Sequence, residues 1–234
     1  VEEGGYKYID IKGKCSLQNE NEFQINYAGI YDNMLWIFIR NEIFCYDLKK
    51  WTLDRKNIPK ELGICISVAW DTEYIYFLNT KNQIYKWNIK ENTYTLLWQD
   101  EKYFDKEKCF IYTHCYENKI IILPWVNGND IVIVDKNSGK AEIYMDYPVD
   151  FAYGLPDPYK YGAGMSTEDY IYYPNRSSNY IMRISKCDGE ISWLKPIIAD
   201  GKLELELLNK KLKGRIIREE RLSLNYYIEI LIDK

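Results

Sequence analysis

Short apolar runs alternate with polar turns along most of this chain. The stretch Glu117 to Tyr144, ENKIIILPWVNGNDIVIVDKNSGKAEIY, reads as strand, turn, strand, turn, strand. Related sentences run from Tyr31 to Leu53, from Trp70 to Leu97 and from Ser166 to Leu194. Each has a tight turn, a β-rich run, a polar loop, a second β-run, another polar turn and a short third run. The equivalent turn positions are Asp32, Asp71, Glu117 and Thr167, about 39, 46 and 50 residues apart. The segments just upstream, YAGI, SVA, THC and GAGM, supply a fourth strand to each unit.

Spacing of this size marks the blades of a β-propeller. Four places before each turn stand Ala28, Ser67, Thr113 and Ala163, all small. That suits an innermost strand, because radially arranged blades crowd near their axis. A partial repeat opens the chain: Tyr8 to Leu17 aligns with Cys45 to Leu53, placing Asp10 over Asp47. Near the other end KLELELL, Lys202 to Leu208, alternates strictly and predicts one more strand. Beyond it, Ser223 caps an amphipathic stretch with Leu224, Tyr227, Ile228 and Leu231 on one face, read as a short helix, with a last strand as the rival reading.

The prediction is an all-β chain. Residues 1–222 form a β-propeller domain of four complete four-stranded blades, roughly 23–63, 64–110, 111–160 and 161–198. A composite or partial fifth joins 6–17 with 202–208, and 223–234 form a short C-terminal helix. The alternative is that the chain is a segment of a larger propeller.

Composition sharpens this picture. Tyr occurs 23 times and Trp seven times, residues that fit a pleated, half-buried surface. With 47% hydrophobic residues in 234, a core is within reach. Net charge is −4 and the basic residues are dispersed, so no phosphate-tracking stripe exists and nucleic acid is a poor partner. No apolar run reaches the roughly 20 residues of a membrane-spanning helix. The six cysteines form no CxxC pair and mostly sit in apolar runs, as free thiols of a reducing, cytoplasmic compartment would. The chain starts at Val1, which leaves room for a removed leader. A single histidine makes a metal site improbable, and nothing calls for a cofactor.

The second half of each repeat resembles the kelch family, whose blades end in an aromatic, an Asp or Asn, a small turn and a second aromatic. WNIKENTY, Trp87 to Tyr94, carries that pattern, and YDLKKW, Tyr46 to Trp51, carries it with a shorter turn. VDKNSGKA and ISKCDGEI keep the turn without the outer aromatics, and the family's Gly-Gly pair is absent from all four repeats. The resemblance implies a protein- or sugar-binding propeller and carries over no catalytic residue.

Several residues are candidates for function. The turn acids Asp32, Asp71, Glu117 and, in the fourth repeat, Glu168 and Asp169 recur in every repeat, as residues that hold tight turns do. His114 adjoins Cys115, but neighbours on a strand point to opposite faces, so the pair cannot cooperate, and His114 is placed at the central channel or one of its mouths. Trp125 and Arg176 follow the equivalent prolines Pro124 and Pro174 in loops expected to gather on one face. The long link between the third and fourth repeats is rich in rings and prolines, which gives contact area at low entropy cost. Its Tyr147, Phe151, Tyr153, Tyr159 and Tyr161, with Trp125, Arg176 and His114, are the expected ligand-binding set. The expected function is a non-catalytic recognition module for a protein or glycan. The alternatives are a carbohydrate-active enzyme using loop carboxylates among Asp146, Asp150 and Asp157, and a structural domain of a larger assembly.

Overall fold

The computed structural model describes residues 11–15, 25–104, 106–152, 160–162, 164–175 and 177–195. These residues form four antiparallel four-stranded sheets, each in simple chain order. The first holds β1 (Tyr27–Tyr31), β2 (Met34–Ile39), β3 (Glu42–Asp47) and β4 (Leu53–Asn57). The second holds β5 (Cys65–Trp70), β6 (Tyr74–Asn79), β7 (Ile84–Asn88) and β8 (Thr93–Trp98). The third holds β9 (Phe110–Cys115), β10 (Lys119–Pro124), β11 (Val132–Asp135) and β12 (Ala141–Ile143). The fourth holds β13 (Met165–Ser166), β14 (Tyr170–Pro174), β15 (Ile181–Ser185) and β16 (Ile191–Leu194). The only helical pieces among the described residues are 3-10 turns at Lys12–Lys14, Lys60–Leu62 and Glu101–Tyr103. The expected terminal strand at 202–208 and helix at 223–234 lie outside the described residues.

The turns explain why the chain reverses where it does. Asp32 and Asn33 both take left-handed backbone, the two-residue hairpin geometry that Asp and Asn tolerate best. The turns between third and fourth strands share one design. In three of them a side-chain oxygen, from Asp47, Asn88 or Asp135, accepts two amides of its own turn. Four residues after the anchor position the backbone turns left-handed, at Trp51, Asn92, Gly139 and Gly189. Asp71 likewise accepts the amides of Glu73 and Tyr74. It also receives Lys136 Nζ of the third sheet at 2.9 Å and the Tyr31 hydroxyl of the first sheet on its carbonyl. Burial works against the Asp71 charge, yet Lys136, the amides of Glu73 and Tyr74 and the Tyr76 hydroxyl hold its carboxyl below the ordinary carboxylate range.

The sheets pack face to face in series. Trp36, Phe38 and Ile43 meet Val68, Phe77 and Trp87 between the first and second. Tyr76, Leu78 and Ile84 meet Ile120, Ile122 and Val134 between the second and third. Ile121, Leu123 and Ile131 meet Tyr173, Met182 and Ile184 between the third and fourth. Because both faces are covered, middle strands such as MLWIFI and KIIILP are apolar nearly throughout instead of alternating. On the outward face of the first sheet, Ile11 and Cys15 pack against Ile37, Ile39 and Phe44. At the opposite edge, β4 carries the polar run Asp54, Arg55 and Lys56.

The first strands of neighbouring sheets lie side by side. Thr113 N–H donates to Ser67 Oγ at 3.1 Å, and the two hydroxyls stand 3.0 Å apart, both residues buried. Two of the four small residues expected at the crowded centre therefore touch. Ala28 does not join them: it is exposed, and Gly29 meets the next sheet instead. A β-carbon on Gly29 would stand 2.8 Å from the Trp70 ring, so this register position admits no side chain without a shift. Ala163 lies outside the described residues. The six cysteines are free of one another.

Candidate functional site

At one end of the sheets, the loops between second and third strands gather with the sheet-to-sheet connections. A cleft of about 900 Å3 opens there. Its floor comes from the approaches to three first strands, with Ile25 and Asn26 before β1, Ile64 and Ile66 at β5, and Ile111 in β9. Its walls are Thr80 and Lys81 of the β6–β7 loop, the connector Phe104, Lys106, Glu107 and Lys108, and Trp125 of the β10–β11 loop. Phe104 is half-exposed and Trp125 is partly buried.

These walls are held by buried polar residues. Asn82, buried and left-handed, donates to the carbonyls of Tyr103 and Lys106 and accepts the Cys109 amide at 3.1 Å. Asp130 Oδ2 receives the Tyr103 hydroxyl at 2.6 Å and Lys102 Nζ at 2.7 Å, tying the connector to the β10–β11 loop. Burial opposes the Asp130 charge, but these two donors hold its carboxyl below the ordinary range. The Trp125 amide donates to the Cys109 carbonyl at 2.7 Å, and the Asn127 amide to that of Lys108 at 3.2 Å. Gly128 leaves no room for a side chain, since a β-carbon there would lie 2.0 Å from the Cys109 oxygen. Lys160, itself buried, reaches the Gly128 carbonyl and Asn129 Oδ1 from below, and burial pushes its pKa down. Lys108 takes left-handed backbone, and its ammonium stands 5.8 Å from the Trp125 ring centre.

Of the expected binding residues that the structure describes, Trp125 lines this cleft. His114 is partly buried between the third and fourth sheets, its Nε2 hydrogen-bonded to the Tyr173 hydroxyl. Burial lowers its pKa to about 4, so it is neutral there. Tyr147 and Phe151 pack on each other, ring centres 4.5 Å apart, and both lie 6.0 Å from Trp193. The Tyr147 hydroxyl accepts the Ile131 amide at 3.1 Å, which turns this part of the link inward onto the sheets. Tyr161 is core, 3% exposed, beside Tyr173. Tyr153, Tyr159 and Arg176 lie outside the described residues. Among the loop carboxylates, Asp150 accepts both the amide and the side-chain nitrogen of Asn179, and the Asn179 amide leads in holding its pKa down. Asp146 is exposed, and Asp157 lies outside the described residues. No cluster of His, Cys, Asp or Glu among the described residues is arranged to hold a metal ion. No described helix is long and apolar enough to cross a membrane.

Phe104, Lys106 and Lys108 also line the cleft, outside the expected binding set. Their signal was the connector DEKYFDKEK, where a lone Phe stands among charges without strand alternation.

No family model matches the chain, and no curated protein does. Solved structures do. The extracellular domain of a protein described as a hybrid two component system, BT4673 from B. thetaiotaomicron, aligns with 78% of this chain at 13% identity and a TM-score of 0.51. This chain spans 24% of that one, and at such identity the likeness concerns fold alone. The computationally designed Ika4 protein aligns with 76% of this chain and 96% of its own, at 10% identity and a TM-score of 0.46.

Proposed function

We propose that this chain is a non-catalytic recognition module of β-propeller architecture, and that the cleft walled by Phe104 and Trp125 binds a protein or glycan. The observation that carries this reading is the cleft itself. It is concave, it sits where three successive first strands begin, and it presents two rings on loops pinned by Asn82, Asp130 and Lys160. Rings on a pinned frame give contact area without a large ordering cost on binding. The serial stacking of sheets with adjoining first strands supports the propeller reading. Ile11 and Cys15, from the partial repeat, lie on the outward face of the first sheet, which supports closure through a composite fifth blade.

The test is a glycan array and a pull-down from source lysate, each run with the native chain and with a Phe104→Ala, Trp125→Ala double variant. Binding that the variant loses while keeping its thermal melt supports the reading. Binding that both chains retain equally moves recognition away from this cleft and overturns it.

A further inference from the structure

We infer that the ligand of this cleft is a saccharide bearing carboxylate or sulfate groups, an inference that rests on the recognition reading above. Among the described residues of the lining the charges are unequal: Lys81, Lys106 and Lys108 stand against one carboxylate, Glu107, and all four are exposed. Two neutral side-chain acceptors in the lining are already engaged. Asn26 Oδ1 takes the Arg40 amide at 2.7 Å, and Thr80 Oγ1 takes the Ile64 amide at 3.3 Å. Lys81 gives one proton to the Glu61 carbonyl at 2.9 Å, which leaves two of its three. A donor-rich, acceptor-poor cleft selects a ligand rich in acceptors.

The rings narrow the choice further. Lys108 sets an ammonium over the partly buried Trp125 ring, and Phe104 stands half-exposed on the same lining, so apolar surface and positive charge lie together in the cleft. A pyranose ring with an acidic substituent has the same juxtaposition, C–H bonds on one face and an anion at the rim. A peptide brings backbone amides that need acceptors, and the lining has few to spare. A folded protein partner fits less well, because the centre of a protein interface is depleted in lysine, and here lysines surround the cavity.

Calorimetry on the whole chain tests this with four probes: tetragalacturonate, a chondroitin sulfate tetrasaccharide, neutral maltotetraose and octaglutamate. At least one acidic saccharide should bind, at least about tenfold more tightly than maltotetraose. Raising salt from about 0.05 M to about 0.5 M should weaken it, because exposed charges are then screened. A Lys106→Gln, Lys108→Gln double variant should lose about tenfold in affinity and most of the salt dependence with its melting temperature kept. Trp125→Ala should weaken every saccharide. Equal binding of maltotetraose, still dependent on Trp125, overturns the charge inference and leaves the recognition reading standing. Binding of octaglutamate alone overturns the saccharide. No binding of any probe overturns the inference, while the recognition reading falls only if array and pull-down also show no dependence on Phe104 and Trp125.

Discussion

His114 shows how one residue sets a solution property of the whole chain. Its pKa falls from 6.5 to about 4 because burial between two sheets disfavours the charged ring. As pH drops, the unfolded chain takes up this proton first and the folded chain only near the lower value. Stability is therefore full above the ordinary histidine range and declines as pH falls through the window between the two values. The expected loss from about pH 7 to about pH 5 is about 2 kcal/mol. Asp71 and Asp130, held below the ordinary carboxylate value of 3.8, add their losses only at more acid pH. Urea unfolding at the two pH values measures the decline. His114→Gln, which keeps a partner for the Tyr173 hydroxyl, should flatten it; an unchanged slope assigns the proton uptake elsewhere.

At the scale of elements, the turns between third and fourth strands are the most sequence-determined feature. Gly139 is left-handed, and a β-carbon there would approach the Leu97 carbonyl oxygen at 2.2 Å. Gly139→Ala should cost about 1–3 kcal/mol in chemical denaturation, combining backbone strain with overpacking against the second sheet. A neutral outcome would mean that the turn relaxes freely away from β8. The same turns made the strands legible in the sequence: Asp47, Asn88 and Asp135 are short side chains that bond their own backbone, so their role is local. The candidate site was legible only at Trp125, which follows Pro124 at the end of a strand. The cleft depends on contacts across 20 residues or more, such as Asn82 to Lys106 and Tyr103 to Asp130, and no local pattern encodes them. Tyr147 and Phe151 are partly exposed and clustered, as loop rings of a binding surface are expected to be. The amide of Ile131 and the ring of Trp193 fix their position, a tertiary effect invisible to spacing.

At the scale of the molecule, the three cores between sheets each join neighbours only, so every sheet depends on the one beside it and little on the rest. The repeat was legible because each sheet is one copy of the same sequence sentence. The register of the first strand was not, since whether Ala28 or Gly29 meets the next sheet turns on the bulk of Trp70. The polar run of β4 bears on how separate molecules behave toward each other. An outermost strand has one row of backbone donors and acceptors that another chain can complete, which begins intermolecular β-pairing. In β4, Asp54 and Lys56 sit 3.8 Å apart on that rim, and Arg55 reaches Glu42 at 2.6 Å. An incoming strand would have to strip water from these charges. Asp54→Val with Lys56→Val removes that penalty and should yield concentration-dependent assemblies by light scattering, with fresh monomer melting near its usual temperature. A variant that stays monomeric at every concentration would show that other features keep the chains apart. The charged rim of β4 is thus expected to govern colloidal behaviour, as a guard against fibrous or amorphous growth at high protein concentration.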